Sequence, residues 1–237
     1  MLSILIPCYN EERTIIPLLK NILSVQLIDN TRKEIIIVDD ASTDQTNILL
    51  TEYINKNMHL PVQLYKYEKN RGKGACVQMA VSKAKGNIMV IQDADLEYSP
   101  EEYNRLLMPI IQGHADVVYG SRFRGSEPHR VLFFFHTIGN KFLTFLSNLF
   151  TQLNLTDMET GYKMFKGDVL KKINLKETGF GFEPEVTAKI SRIKGIRIYE
   201  VGISYFGRTF EDGKKINWKD GVHSIFCILK YNLFSRK

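Results

Sequence analysis

Apolar positions in the first 120 residues alternate between two periods. Short runs of buried-strand character occupy 2–7, 34–38, 62–67, 87–92 and 115–119, and each predicts a strand. Between the first two runs, Ile15, Leu18, Leu19, Ile22 and Leu23 share one face of a helix, with Pro17 acceptable only in its first turn. Ser99-Pro100-Glu101-Glu102 reads as a capping box with proline at the first helical position, followed by an apolar stripe of Tyr103, Leu106, Leu107, Ile110 and Ile111. That leaves 93–98 as a strand-to-helix loop. Strands alternating with helices predict an α/β fold: a Rossmann-like, mostly parallel central sheet flanked by helices.

The alternation stops near 120–128, in Gly120-Ser121-Arg122-Phe123-Arg124-Gly125, and the chain beyond is more aromatic. Two further stripes stand out there. One consists of Phe135, Ile138, Phe142, Phe145, Leu146, Leu149 and Phe150; the other of Val222, Ile225, Phe226, Leu229 and Leu233, followed by Arg236 and Lys237. Each stripe fits core packing or a dimer face, and equally an amphipathic helix lying on an anionic membrane surface. The run 131–150 is interrupted by His136, Asn140, Lys141 and Asn148, which makes it a poor membrane span.

Composition narrows the class. With 237 residues, 44% hydrophobic and 24% charged, the chain is expected to form one globular domain, and disordered and fibrous classes are excluded. The formal charge of +6 is uneven: residues 1–159 carry 16 basic and 18 acidic side chains, residues 160–237 carry 16 and 8. The first residues read as a strand and not as a secretory leader, so a cytoplasmic location is expected. Cys8, Cys76 and Cys227 are far apart, without C-x-x-C or a histidine at ligand spacing, and predict buried small hydrophobes without a disulfide or zinc site. A sequence pI of about 9.1 raises nucleic-acid binding. Asp93 and Asp95 argue against it, because carboxylates at the site repel a polyanion.

Ligands of open α/β sheets bind beyond the carboxyl ends of the strands, and the loops there are polar. Pro7-Cys8-Tyr9-Asn10-Glu11-Glu12 follows the first strand and Asp39-Asp40-Ala41-Ser42-Thr43-Asp44 the second. Asn70-Arg71-Gly72-Lys73-Gly74 opens a helix, and Asp93-Ala94-Asp95-Leu96-Glu97 follows the fourth strand. Asp93 and Asp95, at i and i+2, suit one hard divalent cation, Mg²⁺ or Mn²⁺; as a bare pair they suit a helix-capping turn equally well. Asp39-Asp40 reads as a helix-cap region or as acceptors for a nucleoside. The segment around Lys73 is not a Walker A loop, and reads as an ordinary turn or as a flexible approach to a base or diphosphate.

This ordered set resembles the family 2 glycosyltransferases of GT-A fold. Gly120-Ser121-Arg122, Asp157-Met158-Glu159-Thr160-Gly161-Tyr162-Lys163, and Arg208 with Gly213-Lys214-Lys215 are similar to the branch of dolichyl-phosphate mannose synthases and dolichyl-phosphate glucosyltransferases. The resemblance implies one domain over 1–237, with a nucleotide-sugar half (1–120) and an acceptor half (121–237). It implies nucleoside contacts from Pro7, Tyr9, Glu11, Val38, Asp39 and Asp40, metal ligation by Asp93 and Asp95, and nucleotide contact at Ala94. Glu97 stands near the metal, where mannose synthases of this branch often carry Gln. Arg122, Arg208 and Lys214 match basic positions over the phosphates.

The implied reaction is metal-dependent, inverting transfer of a hexose from UDP- or GDP-hexose to a polyprenyl phosphate, with a glycan hydroxyl as the alternative acceptor. Asp95, Arg208 and Lys214 would act on the departing diphosphate. Asp157 is the favoured base should a hydroxyl need deprotonation, ahead of Glu183 and Glu185. The enzyme would sit at the cytoplasmic face of a membrane.

Overall fold

The computed structural model describes residues 1–125, 133–207 and 218–234. The five expected strands form as β1 (Leu2–Cys8), β2 (Lys33–Asp39), β3 (Val62–Lys66), β4 (Ile88–Ile91) and β5 (Val117–Ser121). Two more, β6 (Lys163–Lys166) and β7 (Ile198–Gly202), complete a seven-stranded sheet in the order β3-β2-β1-β4-β6-β5-β7. Every neighbouring pair is parallel except those of β6, which runs antiparallel to both β4 and β5. Neither β6 nor β7 was legible: Lys163-Met164-Phe165-Lys166 is four residues bounded by lysines, and β7 is only half-buried.

Strand β1 is buried along its whole length, as a central parallel strand covered on both faces must be. Its alternate side chains enter two cores. Ile4 and Ile6 pack with Ile15, Leu18 and Leu19 of α1 (Ile15–Ser24) and Leu106 and Leu107 of α4 (Tyr103–Ile111). Leu5, between Ile36 and Ile91 in register, faces Cys76, Val77 and Ala80 of α3 (Lys73–Lys83) and Phe182 and Val186 of α7 (Phe182–Ile190). The remaining helices are α2 (Thr46–Lys56), α5 (Phe134–Thr151), α6 (Gly167–Lys172) and α8 (Trp218–Leu229). Because β6 inserts between β4 and β5, chain from beyond residue 121 is woven into the sheet that the first half begins.

Two local expectations change. Pro17 is the third residue of α1, inside its first turn as required. The capping box forms only half: Ser99 accepts the Glu101 N–H at 3.3 Å, and 100–102 is a 3₁₀ turn leading into α4. Glu102 does not reach back to Ser99; its carboxylate accepts the Ser204 N–H at 3.1 Å and hydroxyl at 2.8 Å, tying α4 to the segment after β7.

Helix α5 turns Thr144, Ser147 and Asn148 inward together with Leu143, Leu146 and Phe150, so that Leu146 and Phe150 of the apolar stripe pack on the core. Thr144 and Ser147 are its buried residues, and Thr144 accepts the Met158 N–H at 3.1 Å. Asn148 exchanges hydrogen bonds with the backbone of Leu155 at 2.8 and 3.1 Å. Outward stand Phe135, Ile138, Phe142, Phe145 and Leu149, all exposed, with Phe135 at 85%. On α8 the buried residues are Ser224, Cys227 and Ile228, while Val222 and Phe226 are exposed. For these exposed side chains, core packing is ruled out. No helix among the described residues is long and apolar enough to cross a membrane.

Candidate active site

Strand β1 has β2 on one side and β4 on the other, so the chain's crossovers diverge there and leave a crevice at the carboxyl ends of the strands. The crevice opens into a cavity of about 770 Å³. Of the residues singled out in the sequence, Pro7, Tyr9, Glu11, Asp40, Lys73, Asp93, Ala94, Asp95, Glu97 and Arg122 line it. Val38 lies in the core beneath and Asp39 is fully buried. Asp157 stands behind Arg122. Arg208, Lys214 and Lys215 lie outside the described residues, as do Arg236 and Lys237.

The rim loops are held in costly backbone conformations. Asn10 (φ 51°), Ala41 (φ 60°) and Leu96 (φ 64°) are left-handed without being glycine, one in each loop after β1, β2 and β4. Such residues persist where the surroundings over-determine them, commonly at binding sites. The surroundings are visible: Asn10 bonds Ser42 and Thr43 across the crevice, and the Glu11 N–H donates to Thr46 at 2.8 Å. Asp39 accepts from the Ser42 N–H at 3.0 Å and the Asn47 amide at 3.0 Å. Asp40 accepts the Arg71 and Gly72 N–H groups at 2.7 and 2.8 Å. Asp39 thus braces its own loop against the start of α2, while Asp40, from the cavity wall, ties that loop to the segment that opens α3.

The Gly72-Lys73-Gly74 glycines serve close packing. A Cβ at Gly72 (φ 90°) would lie 2.5 Å from the Thr178 carbonyl oxygen, and one at Gly74 would lie 2.3 Å from that of Glu177. This clamps the start of α3 and directs Lys73 inward. The Lys73 ammonium pairs with Asp93 at 2.8 Å and with Glu183 at 2.9 Å. These two carboxylates outweigh the cost of its burial and raise its pKa, so it stays charged.

Beneath the 93–98 loop, Tyr103 and Tyr162 both donate to Gln92 Oε1, at 2.7 and 2.6 Å. Tyr98 stacks on Tyr162 with ring centroids 4.9 Å apart. The Gly161 N–H donates to the Tyr98 hydroxyl at 2.9 Å, and a Cβ at Gly161 would lie 2.2 Å from Asp93 Oδ2. Asp95 accepts the Glu97 N–H at 3.1 Å, and Glu97 accepts the Tyr205 hydroxyl at 2.7 Å. Asp93, Asp95 and Glu97 all line the cavity and are oxygen donors of the type Mg²⁺ or Mn²⁺ takes; their carboxylates engage different neighbours, Asp93 the Lys73 ammonium and Glu97 the Tyr205 hydroxyl. The Lys73 ammonium on Asp93 marks the same carboxylate as a cation seat.

Arg122 is fixed by Asp157. Its Nε and Nη2 each donate at 2.7 Å to one carboxylate oxygen, its backbone N–H adds a third bond at 3.1 Å, and Asp157 is fully buried. Both Asp157 oxygens are therefore engaged. Two pocket oxygens lack such partners: Glu159 Oε1, and Glu183 Oε2 beside the Oε1 that Lys73 engages, are the buried side-chain polar atoms without a hydrogen bond among the described residues. Burial, and then the Glu183 carboxylate, push the Glu159 carboxyl up to about 7. Beside them Lys163, fully buried, donates to the Thr160 carbonyl, and burial pushes its ammonium down. In the sequence the one signal for Glu159 is its place as a carboxylate two residues after Asp157, on a segment that leads into β6.

The opposite side of the cavity is formed by α5 and α8. Phe135, His136, Gly139, Asn140 and Leu143 of α5 and Asp220, Gly221 and Ser224 of α8 line it, with Phe180 between. The exposed aromatic surface of α5 continues outward from this wall.

One expectation about cysteine needs correction. All three thiols are buried and unpaired by disulfide, but Cys227 does have a histidine at ligand spacing: His223 sits one helical turn earlier, its Nε2 3.4 Å from the sulfur. Glu177 completes a cluster of three ligand-type side chains. Lys230 and the Tyr231 hydroxyl also contact Glu177, at 2.8 and 2.6 Å. These groups hold its carboxyl down to about 2 despite burial. The cluster is a satisfied hydrogen-bond network joining α8 to the segment before α7.

Comparison with known proteins places this geometry. The model of glycosyl transferase family 2 matches residues 3–174. The chain is 24% identical over 207 residues to dodecaprenyl-phosphate galacturonate synthase of Rhizobium johnstonii, covering 87% of this chain and 59% of that protein. It is 27% identical over 230 residues to dolichyl-phosphate beta-glucosyltransferase of Dictyostelium discoideum, covering 91% and 68%. It thus spans less than two thirds of the first relative and little more of the second. Among solved structures, glucosyl-3-phosphoglycerate synthase from Mycobacterium tuberculosis, in complex with Mn²⁺, UDP and glucosyl-3-phosphoglycerate, superposes with a TM-score of 0.74 at 19% identity, covering 98% of this chain and 80% of that one. That likeness identifies the fold as GT-A.

Proposed function

The chain belongs to glycosyl transferase family 2, and from that premise we propose that it moves a hexose from a nucleotide diphosphate sugar to a polyprenyl phosphate, with inversion, in a metal-dependent reaction at the cytoplasmic face of a membrane. The observation that carries the proposal is the two-sided cavity, with a dense set of carboxylates and cations on the sheet side and, on the other, a wall of α5 and α8 where Phe135, Leu143 and Phe180 sit among His136, Asn140 and Asp220. The names of the Rhizobium and Dictyostelium relatives, both lipid-phosphate sugar enzymes, support the acceptor, and the Mn²⁺ and UDP of the mycobacterial structure support the donor.

In this reading residues 1–120 form the nucleotide-sugar half and 121–237 the acceptor half, with Arg122, Arg208 and Lys214 of the second half closing over the donor phosphates. Pro7, Tyr9, Glu11 and Asp40 receive the nucleoside, and Val38 and Asp39 support the two loops from beneath. Asp93, Asp95 and Glu97 would hold Mg²⁺ or Mn²⁺, which when bound neutralises charge on the departing diphosphate. Lys73 balances Asp93 and Glu183 and orients toward the phosphates. Arg122 adds a preorganised cation, held rigid by Asp157, and Arg208 and Lys214 add two more. Asp157 thereby acts as a positioning residue and not as a base. A lipid phosphate is already largely ionised near neutral pH, its second pKa being about 6, so the attacking oxygen needs no protein base.

The exposed Phe135, Phe142 and Phe145 of α5 would enter the headgroup region of an anionic leaflet, where the basic last third of the chain adds electrostatic attraction. The test is incubation of the full chain with radiolabelled UDP- and GDP-hexoses, Mn²⁺ and vesicles carrying polyprenyl phosphate. Label that partitions into organic solvent, and is abolished by EDTA, is the expected result. Absence of extractable label with every donor overturns the assigned acceptor.

A further inference from the structure

Glu159 and Glu183 are unexplained by the chemistry above, and their arrangement asks for a ligand. Glu159 Oε1 and Glu183 Oε2 are buried without a hydrogen-bond partner among the described residues, and both side chains line the cavity. Native structures leave few buried polar atoms unsatisfied, because each one costs the desolvation of the group. Two such atoms in one pocket, one on a carboxylate and one on a carboxyl that holds its proton up to about pH 7, call for ligand groups that can both donate and accept, as hydroxyls do.

Their surroundings say which groups. Glu183 shares Lys73 with Asp93, at 2.9 and 2.8 Å, so its carboxylate stands beside the cation seat. Glu159 precedes by two residues Gly161, whose backbone closes against Asp93. The charged groups facing the pair are Lys73, Lys163, Asp93, Arg122 and Asp157. Arg122 is already neutralised bidentately by Asp157, and Lys73 is shared by two carboxylates. With Asp93 assigned to the metal in the proposed reading and Arg122 paired with Asp157, the pair itself is left with the buried Lys163 beside it, and neutral hydroxyls supply the missing hydrogen bonds without adding charge.

Resting on the proposed donor chemistry, we infer that Glu159 and Glu183 form a hydroxyl-reading subsite for the transferred sugar, which admits neutral hexoses and rejects uronates. A uronate replaces a hydroxymethyl group with a carboxylate, losing a hydrogen-bond donor and placing a like charge beside the pair. The discrimination is built by the protein's own carboxylates, independently of which hexose is the natural one.

Calorimetric titration of the full chain in Mn²⁺ tests this, using UDP, UDP-glucose, UDP-galactose, UDP-glucuronate and UDP-galacturonate, with GDP and GDP-mannose as the second series. We expect at least one neutral nucleotide hexose to bind more tightly than its parent diphosphate. UDP-uronates should bind roughly 10- to 100-fold more weakly than UDP-linked neutral hexoses, the range for a lost charge-assisted hydrogen bond. In Glu159→Gln and Glu183→Gln that ratio should shrink several-fold, with UDP binding in the same variant reporting an intact site. Equal affinity of wild type for hexose and uronate overturns the inference, as does an undiminished ratio in both variants. Should a variant fail to bind UDP, the wild-type ratio decides alone. Failure of every nucleotide to bind wild type instead overturns the donor reading itself, and this inference with it.

Discussion

The two walls of the cavity are built on opposite principles. On the sheet side, polar groups are buried and almost all engaged: Asp39, Asp40, Asp157 and Lys73 each make two or more short contacts. On the helix side, polar groups of α5 are turned inward and most of its aromatic rings outward, with Phe145 64% exposed. The first wall is preorganised for charge, since its dipoles and ions are fixed before a ligand arrives. The second gives up internal burial to present a row of exposed apolar side chains, Phe135, Ile138, Phe142, Phe145 and Leu149, of the kind that marks an interaction surface. Rigid electrostatics on one side and exposed hydrophobicity on the other are what the proposed joining of a water-soluble donor to a membrane-borne acceptor would require.

The largest effect should come from breaking the first wall at its base. Asp157→Ala leaves the Arg122 side chain, 12% exposed, without its counter-charge, and should cost about 3–5 kcal/mol in urea unfolding, as loss of one member of a buried pair does. Asp157→Asn keeps the shape and sharpens the comparison: positioning predicts that its effect on transfer is non-additive with Arg122→Lys in a double-mutant cycle, whereas a base predicts additivity. Asp93→Asn should reduce transfer roughly 100- to 1,000-fold, the range for removing a preorganised electrostatic group, while leaving vesicle binding intact.

The second wall should respond in the reverse manner. Phe142→Glu combined with Phe145→Glu should weaken sedimentation with anionic vesicles at least roughly tenfold, given the transfer free energy of two aromatic side chains. Stability should change by no more than about 0.5 kcal/mol, because both rings face solvent in the free protein. A large loss of stability would mean that this face is covered by another copy of the chain.

The smallest effect concerns pH. The Glu159 carboxyl is raised from 4.5 to about 7, so the folded state holds this proton more tightly than the unfolded chain. The resulting stability is complete below pH 4.5 and is lost as pH rises through 7. Glu159→Gln should therefore show a melting temperature higher than wild type by a few degrees at pH 8, with the difference fading or reversing toward pH 4.5. A constant difference across that range contradicts the shift.

Much of the sheet side was legible because its code is local. Unbroken apolar runs announced β1 to β5, and the polar residues after β1, β2 and β4 fell on one rim by topology alone. The roles were less legible than the positions. Asp39, Asp40 and Asp157 read as ligands or a base, yet the structure engages each with other parts of the chain, partners that lie 31 or more residues away for Asp40 and Asp157. β6 was hidden because Lys163 is buried, against its ordinary preference for the surface. The stripes of α5 and α8 were visible, but periodicity reports that a face exists without telling whether core or solvent receives it. The inward hydrogen bonds of Thr144 and Asn148 to 155–158 settle that point, and they are tertiary facts.

The central claim is that donor and acceptor occupy different walls of one cavity. Photo-crosslinking of the full chain in vesicles tests it most directly, with a benzophenone-bearing polyprenyl phosphate and, separately, an azido nucleotide diphosphate. The account predicts lipid adducts within 133–150 and 218–234, and nucleotide adducts on the loops holding Tyr9, Asp40 and Lys73. Lipid adducts on those loops, or nucleotide adducts on α5, would contradict it.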